Sequence, residues 1–259
     1  MNKYHLPESF ATERPPFKLP IQYKRLGIIA DLHVPYHSIP ALTATFDYFS
    51  SKGIDSLIIN GDLIDFYQLS RFQKDPRKRS VKFELDSVGA FFDALKMWFP
   101  QVKVFYKKGN HDIRYDKWMQ VKAPEFLDIE NFDFANVLKL RERDIELIDD
   151  KTYIKAGGLT VVHGHELNMK SVTVNPARTL FLKAKVSSLC AHLHTPSHHA
   201  GKRIDGHVTG CWSMGHLGEE SPDYAPYNEW CHGFAIVDID KEEFEVSNYK
   251  ILKNKVHRT

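Results

Sequence analysis

The first half of the chain alternates short apolar runs with longer stretches that have helical spacing. Apolar runs at Leu26–Ala30, Ser56–Ile59 and Val102–Tyr106 predict buried strands. Between them, Ile39–Ser51 and Ser80–Phe99 carry apolar residues at three- and four-residue intervals, which predicts two helices. Strands that alternate with helices are typical of βαβ units, so we predict a mainly parallel sheet.

The second half of the chain has the pattern of hairpins. Thr152–Lys155 and Leu159–Val162 flank a Gly-Gly pair, and Phe234–Val237 and Phe244–Tyr249 flank an Asp-Lys pair. We therefore predict an α/β fold in which these hairpins belong to a second, mixed sheet that packs on the first.

The range 1–24 differs from the rest of the chain. It holds four prolines and few aliphatic residues, which predicts an extended arm over the surface of the domain or of a neighbour. No internal repeat, low-complexity tract or linker follows it. We therefore predict a single domain over 25–259.

Composition and charge exclude several classes of protein. The 259 residues include 35 Lys+Arg and 33 Asp+Glu. The resulting net charge of +2 excludes strong binding to polyanions that is driven by the overall charge of the protein. A hydrophobic content of 42% excludes a disordered chain. Three widely spaced cysteines fit neither a disulfide framework nor a Cys-type zinc site, which predicts a reducing, cytoplasmic setting. No apolar segment is typical of a signal peptide or a membrane span, so we expect a soluble protein.

Polar clusters follow the strand-like runs and account for part of the high histidine content, 14 residues. Loops at the carboxyl ends of strands converge on one crevice in open α/β sheets, so we expect these clusters to meet. Their carboxylates, amide and imidazoles suit Mn, Fe, Ni or Zn, and two such ions orient a water molecule for phosphoester hydrolysis. The clusters are Asp31-Leu-His33, Gly61-Asp62-Leu-Ile-Asp65, Gly109-Asn110-His111-Asp112, His163-Gly-His165 and His192-Leu-His194.

In this order, the five motifs resemble those of the calcineurin-like metallophosphoesterase superfamily, over residues 28–194. The resemblance implies a two-sheet β-sandwich flanked by helices and a centre of two divalent metal ions, with Mn as first candidate. It implies hydrolysis of a phosphodiester or phosphomonoester by a metal-bridging hydroxide. His111 then protonates the leaving oxygen or holds the phosphoryl group, and Asp65 orients it. The implied ligands are Asp31, His33 and His194 for one metal and Asn110, His163 and His192 for the other, bridged by Asp62.

Departures from the family pattern narrow the resemblance. Phe66 and Asp112 stand where protein Ser/Thr phosphatases carry Arg-Gly and Glu, so a protein phosphatase is disfavoured. Asp65 stands where purple acid phosphatases have a Tyr ligand and repair nucleases usually have His or Tyr, and Ala191 stands where Gly is usual. The tail over 210–233 resembles members found in bacteriophages and mobile elements, which implies a host cytoplasm.

Three arginines outside the motifs are candidates for substrate contacts: Arg178, Arg77 and Arg79. His165 of the fourth motif fits a substrate contact and packing beside His163 equally. The basic run Lys74–Arg79 fits either a phosphate clamp or a solvated turn at a helix entrance, and we favour the turn. The aromatic residues of the tail fit base stacking and structural packing equally. They are Trp212, Tyr224, Tyr227 and Trp230.

Two alternative functions follow from these features. The basic run and the tail aromatics fit a nuclease that acts on DNA or RNA with the same metal centre. A non-catalytic metal-binding scaffold, with oligomerisation through the N-terminal arm, is the third hypothesis. It ranks last because every expected catalytic position is filled.

Overall fold

The fold comes from a computed structural model of the chain, which describes residues 3–72, 74–75, 77, 80–169, 173–202, 204–222 and 225–259. Its α-helices are α1 (Ile39–Lys52), α2 (Val81–Trp98), α3 (Arg114–Lys122), α4 (Phe134–Val137) and α5 (Pro176–Ala184). Its strands are β1 (Phe17–Lys18), β2 (Arg25–Ile29), β3 (Ser56–Asn60), β4 (Lys103–Lys107), β5 (Ile145–Ile148), β6 (Ile154–Ala156), β7 (Leu159–Val161), β8 (Ser188–Cys190), β9 (Ser197–Lys202), β10 (Val208–Ser213), β11 (His232–Asp240), β12 (Glu243–Leu252) and β13 (Lys255–Arg258).

The first sheet has seven strands in the order β13-β12-β11-β2-β3-β4-β5. Strands β2 to β5 are parallel. Helices α1 and α2 connect β2, β3 and β4, as the βαβ pattern predicts, and α3 and α4 lie between β4 and β5. The side chain of Ser38 caps α1 by accepting from the Ala41 N–H, and Ser80 caps α2 by accepting from the Phe83 N–H. Both predicted helices and all three predicted strands of this half are confirmed to within a residue or two at their ends.

The C-terminal hairpin corrects one prediction. Strands β11 and β12 pair antiparallel as predicted, but β11 also pairs with β2 and so extends the first sheet, not the second. The reason lies in its burial on both faces. Phe234 and Ile236 pack with the helices, whereas Ala235 and Val237 pack against the other sheet. A strand with two apolar faces belongs in the interior of a sheet that is covered on both sides.

The second sheet has six strands in the order β1-β6-β7-β8-β10-β9. The predicted hairpin of β6 and β7 is confirmed here as an antiparallel pair, and β7, β8 and β10 run parallel. Strand β1, which lies in the range 1–24, pairs with β6 at the edge of this sheet. Residues 3–16 form neither helix nor strand.

Two apolar layers determine how the sheets stack. Leu57 and Ile59 of β3 face a layer shared with α1 and α2, while Ile58 between them faces the second sheet. Helix α5 covers the far side of the second sheet through Ala177 and Leu180. The result is two mixed sheets packed face to face and flanked by helices, so the predicted architecture is confirmed. None of the helices in the described ranges is long and apolar enough to cross a membrane.

Candidate metal centre

Loops from both sheets meet at the carboxyl ends of five strands. Asp31 follows β2, Asp62 follows β3, and the loop of Asn110 and His111 follows β4 in the first sheet. His163 follows β7 in the second sheet, and the loop of His192 and His194 follows β8. Backbone hydrogen bonds join the loops directly: the His192 N–H donates to Asp31 Oδ2 at 3.0 Å, and the His111 N–H donates to Asp62 Oδ1 at 2.7 Å.

The first group of side chains contains Asp31, His33 and His194, which are all buried. Each offers a ligand atom, and these atoms lie within 4.8 Å of one another. His194 Nε2 is 3.3 Å from Asp31 Oδ1. The first group therefore has the composition and the spacing of a cation site, with one carboxylate and two imidazoles.

The second group contains Asp62, His163 and His192, again with ligand atoms within 4.8 Å of one another. His163 Nε2 lies 3.4 Å from Asp62 Oδ2, 3.2 Å from Asn110 Oδ1 and 3.9 Å from Asp31 Oδ1. Because His163 is close to the aspartates of both groups, the two groups form one continuous centre.

Asp65 joins a third group with His33 and His111. Its Oδ1 lies 3.4 Å from His33 Nδ1 and 2.8 Å from His111 Nδ1. A carboxylate can only accept, so His111 Nδ1 donates to Asp65 and the other ring nitrogen, Nε2, is left as an acceptor. This nitrogen is 4.0 Å from Asp62 Oδ2, at the edge of the second group.

Two glycines allow the loops to approach so closely. A Cβ on Gly61 would lie 2.3 Å from His163 Nδ1, and a Cβ on Gly109 would lie 2.2 Å from Asp62 Oδ1. No side chain fits at either position without displacing a group of the centre. The glycines of the Gly-Asp and Gly-Asn-His motifs are therefore required by packing.

The candidate ligands have an unusual backbone conformation. Positive φ values of 51° to 67° occur at five of them, and such values are uncommon for residues other than glycine. Strained conformations of this kind persist where the surrounding structure enforces them, which is typical of functional sites. The five residues are Asp31, His33, Asp62, His192 and His194.

Asp112 holds two of these loops together. It is fully buried and accepts hydrogen bonds from the backbone N–H groups of Asp62 at 2.8 Å and Gly109 at 2.6 Å, and from the Tyr106 hydroxyl at 2.6 Å. Its oxygens are thus occupied by groups of the protein, and Asp112 has a structural role in the loops.

The charges of the centre favour a cation. Burial opposes ionisation of Asp31, but the charges of His194 and His163 keep its pKa below the ordinary value. Burial also disfavours a charged His163, yet the charges of Asp62 and Asp31 raise its pKa to about 10. Without a metal, the carboxylates are therefore ionised, and His163 carries a proton at neutral pH.

Several buried atoms of the centre have no hydrogen-bond partner among the described residues: Asp31 Oδ1, both ring nitrogens of His33 and Nδ1 of His194. Leaving buried polar atoms unpaired costs about 1–3 kcal/mol each, so such atoms are rare without a function. A divalent cation would satisfy the carboxylate oxygen and the ring nitrogens that face it. The residues present therefore fit a metal site.

A family model of the calcineurin-like phosphoesterases matches residues 24–241 of the chain. The chain belongs to this family. Its curated relatives include the Gene 54 proteins of Mycobacterium phages L5 and D29, each 24% identical, over 233 and 232 residues. Both alignments cover 84% of this chain and 89% of the phage protein. The predicted family membership and the predicted likeness to bacteriophage proteins are thus confirmed.

Solved structures of similar fold include two from different organisms. Vacuolar Protein Sorting 29 from Cryptosporidium parvum has a TM-score of 0.49 at 11% identity and covers 92% of this chain and 96% of that chain. The phosphoesterase Yfce from E. coli has a TM-score of 0.44 at 15% identity and covers 91% of this chain and 98% of that chain.

The predicted substrate contacts of this family member lie at different distances from the centre. The His165 ring is 5.2 Å from that of His163, and its Nε2 is 3.7 Å from Asp150 Oδ2. Arg178 is exposed on α5, on the outer side of the second sheet. Arg77 is 89% exposed and pairs with Asp75, while Arg79 lies outside the described residues.

The aromatic residues of the tail are also spread out. Trp212 lies on β10 and stacks on His198 with ring centroids 5.2 Å apart, so it packs within the fold. Tyr227 is fully exposed. Trp230 packs its ring edge-on against His194, with centroids 4.4 Å apart. Tyr224 lies outside the described residues.

Three residues near the centre have no counterpart in the sequence-based predictions. Lys107 is fully buried and pairs with Glu166 at 2.7 Å, and Glu166 accepts from the backbone N–H groups of His163 at 3.0 Å and Gly164 at 2.6 Å. Arg114 donates to His111 Nε2 at 3.0 Å. Glu166 directly follows a motif, Lys107 lies two residues before one, and Arg114 is one helical turn beyond His111, a spacing that could have indicated contact.

Proposed function

We propose that this protein is a metal-dependent phosphoesterase that hydrolyses phosphomonoesters or phosphodiesters with two divalent cations. The proposal depends on one observation: buried carboxylates and imidazoles from loops of both sheets converge, and several of their atoms have no other partner in the described chain. The first cation would be held by Asp31, His33 and His194, and the second by Asn110, His163 and His192, with Asp62 shared between them.

When bound, two cations of this kind lower the pKa of a water molecule and stabilise the charge that develops on a phosphoester. The chain itself positions His111 beside them. Its backbone N–H donates to Asp62, and its ring donates to Asp65. We assign its Nε2 to the phosphoryl group or the leaving oxygen, to which it would donate from the doubly protonated ring, and Asp65 to the orientation of that ring.

We propose Mn²⁺ as the first metal to test, with Fe, Ni and Zn as alternatives. The ligand set contains carboxylates, an amide and imidazoles, a mixture that suits this range of first-row metals. The cysteines lie outside the three groups of candidate ligands within the described chain.

A cavity lies next to the centre, and we assign it to the part of the substrate beyond the phosphoryl group. It has a volume of about 930 Å³, and its lining includes His165 and Glu166 but none of the candidate metal ligands. This volume is within the range of small-molecule sites. Three Lys or Arg side chains and five Asp or Glu side chains line it, so a polymer of phosphates would meet excess negative charge there. We therefore propose a small ester in preference to the nuclease alternative.

The test is a substrate panel on metal-stripped protein that is reloaded with Mn²⁺, Ni²⁺, Zn²⁺ or Fe²⁺. The panel contrasts nitrophenyl phosphomonoesters and diesters, nucleotides, cyclic nucleotides and single-stranded nucleic acids. We expect hydrolysis of a small ester, and a loss of about 100-fold or more in Asp62→Asn, because this change removes the carboxylate shared by both cations. Metal binding without hydrolysis of any ester would support the scaffold hypothesis instead.

A further inference from the structure

Helix α3 begins with a basic residue at the edge of the proposed centre. Its first residue is Arg114, and the Arg114 N–H donates to the His111 carbonyl at 2.9 Å. A separation of three residues in a helical turn places two side chains on the same face. The guanidinium of Arg114 therefore lies next to the ring of His111.

The contacts of Arg114 link it to the same two residues that we assign to catalysis. Its Nη1 donates to the Asp65 carbonyl at 2.7 Å and lies 3.7 Å from Asp65 Oδ1. Its Nη2 donates to His111 Nε2 at 3.0 Å. A guanidinium has five N–H groups, and within the described chain these two hydrogen bonds engage only two of them.

The Nη2 contact occupies the atom that the proposed reaction needs. His111 Nε2 is 3.0 Å from Arg114 Nη2 and 4.0 Å from Asp62 Oδ2. A hydrogen bond to a neutral ring nitrogen is weaker than one to an anionic oxygen. A phosphoryl oxygen that enters beside His111 and the centre would therefore attract the Nη2–H group.

A purely structural role would explain only half of this arrangement. The Nη1 hydrogen bond to the Asp65 carbonyl is enough to hold the loop, and the Arg114 side chain remains 19% exposed. Asp65 is the nearest acidic partner and is shared with His33 and His111. The positive charge of Arg114 is therefore available to a substrate.

We propose that Arg114 is a catalytic residue that binds a non-bridging oxygen of the substrate's phosphoryl group and favours phosphomonoesters over phosphodiesters. The inference rests on the proposed function. A monoester carries about two negative charges near neutral pH and a diester carries one, and the attraction to a fixed cation grows with that charge. Arg114 thus contributes more to the binding of monoesters.

The test compares nitrophenyl phosphate with bis(nitrophenyl) phosphate in Arg114→Ala and Arg114→Lys. In Arg114→Ala we expect kcat/KM to fall about 100-fold for the monoester and about 10-fold for the diester, the range of a hydrogen bond to a charged group. Metal content should not change, and added guanidinium should restore part of the monoester activity. Arg114→Lys should lie between, because Lys keeps the charge but loses the planar pair of donors.

The matched control is Arg143→Ala. Arg143 is 22% exposed and pairs with Asp93 at 2.9 Å, so it is similar to Arg114 in burial and pairing but lies outside the centre. It should keep wild-type kinetics. If Arg114→Ala does not fold, Arg114→Lys decides, and a loss under twofold for both esters overturns the inference. Failure of the wild type to hydrolyse either ester would instead overturn the proposed function.

Discussion

Two buried histidines of the centre are held by different kinds of contact. His163 Nδ1 donates to the Asn60 carbonyl at 2.7 Å, and its backbone N–H donates to Glu166. His194 stacks parallel to His216 at 4.7 Å and meets the edge of Trp230, and its Nδ1 has no hydrogen-bond partner within the described chain. We call Asn60, Lys107, His163 and Glu166 the network side, and His194, His216 and Trp230 the ring side.

The two kinds of contact restrict the orientation of the histidine rings to different extents. The hydrogen bond that Nδ1 donates fixes both the plane and the tautomer of His163, so that Nε2 faces Asp62 and Asn110. Ring packing restricts the plane of His194 but does not select which nitrogen carries the proton. We therefore expect the network side to be the more sensitive of the two to substitution.

The largest expected effect comes from breaking the ion pair beneath the network side. Lys107→Met removes the cationic partner of Glu166, whose side chain is only 14% exposed, and breaking a buried pair in this way costs up to about 3–5 kcal/mol. Denaturant unfolding of the metal-free protein measures this loss. Because Glu166 holds the backbone of His163 and Gly164, the affinity for metal should fall about 10- to 100-fold as well.

The same substitution on the same strand provides the control. Lys103 also lies on β4, but its partner Asp144 is 80% exposed. Lys103→Met should therefore change the free energy of unfolding by about 1 kcal/mol or less. Equal losses in the two variants would contradict a special role for the buried pair.

The next expected effect is a difference between the two sides in the number of protons that their histidines release when metal binds. His163 Nδ1 donates to Asn60, so the proton that its raised pKa of about 10 retains sits on Nε2, which faces Asp62. A cation displaces that proton, so affinity should rise about tenfold per pH unit up to about pH 10. Burial lowers the pKa of His194 despite the opposing charge of Asp31, so at pH 8 this ring has no extra proton to release.

Calorimetry in buffers of different ionisation enthalpy counts the protons released when metal binds at pH 8. His163→Asn should reduce the number by about one, and His194→Asn should leave it unchanged. Burial lowers the pKa of His33, but Asp65, Asp62 and Asp31 together raise it above the ordinary value, so any proton that His33 releases adds to the count in the wild type and in both variants. An equal reduction in the two variants would contradict the assignment of the retained proton to His163.

The features that the sequence predicts are those that depend on contacts between residues close in sequence. Family and fold follow from motifs and periodicity because each strand and its loop are local in sequence. The pairing of β11 with β2 is not local, and Phe234–Val237 has the same apolar pattern in either sheet. Lys107 and Glu166 are charged residues like many on the surface, and their contacts in space distinguish them, whereas the spacing of Arg114 from His111 is a signal that the sequence does carry. His216 packs against His194 and Trp230 from a separate loop, a contact that no spacing indicates.

The smallest expected effect lies on the ring side. Trp230 contacts His194 edge-on at 4.4 Å and His216 at 5.5 Å, and aromatic pairs of this kind contribute about 0.5–1.5 kcal/mol. Trp230→Ala should therefore lower metal affinity by less than about tenfold, and Trp230→Phe should lower it less because a ring remains. Metal titration measures both, with Trp98→Ala, a change at an exposed residue of α2, as the control. If Trp230→Ala weakened metal binding as much as Lys107→Met, ring packing would position a ligand as firmly as a hydrogen bond, and the distinction between the two sides would not hold.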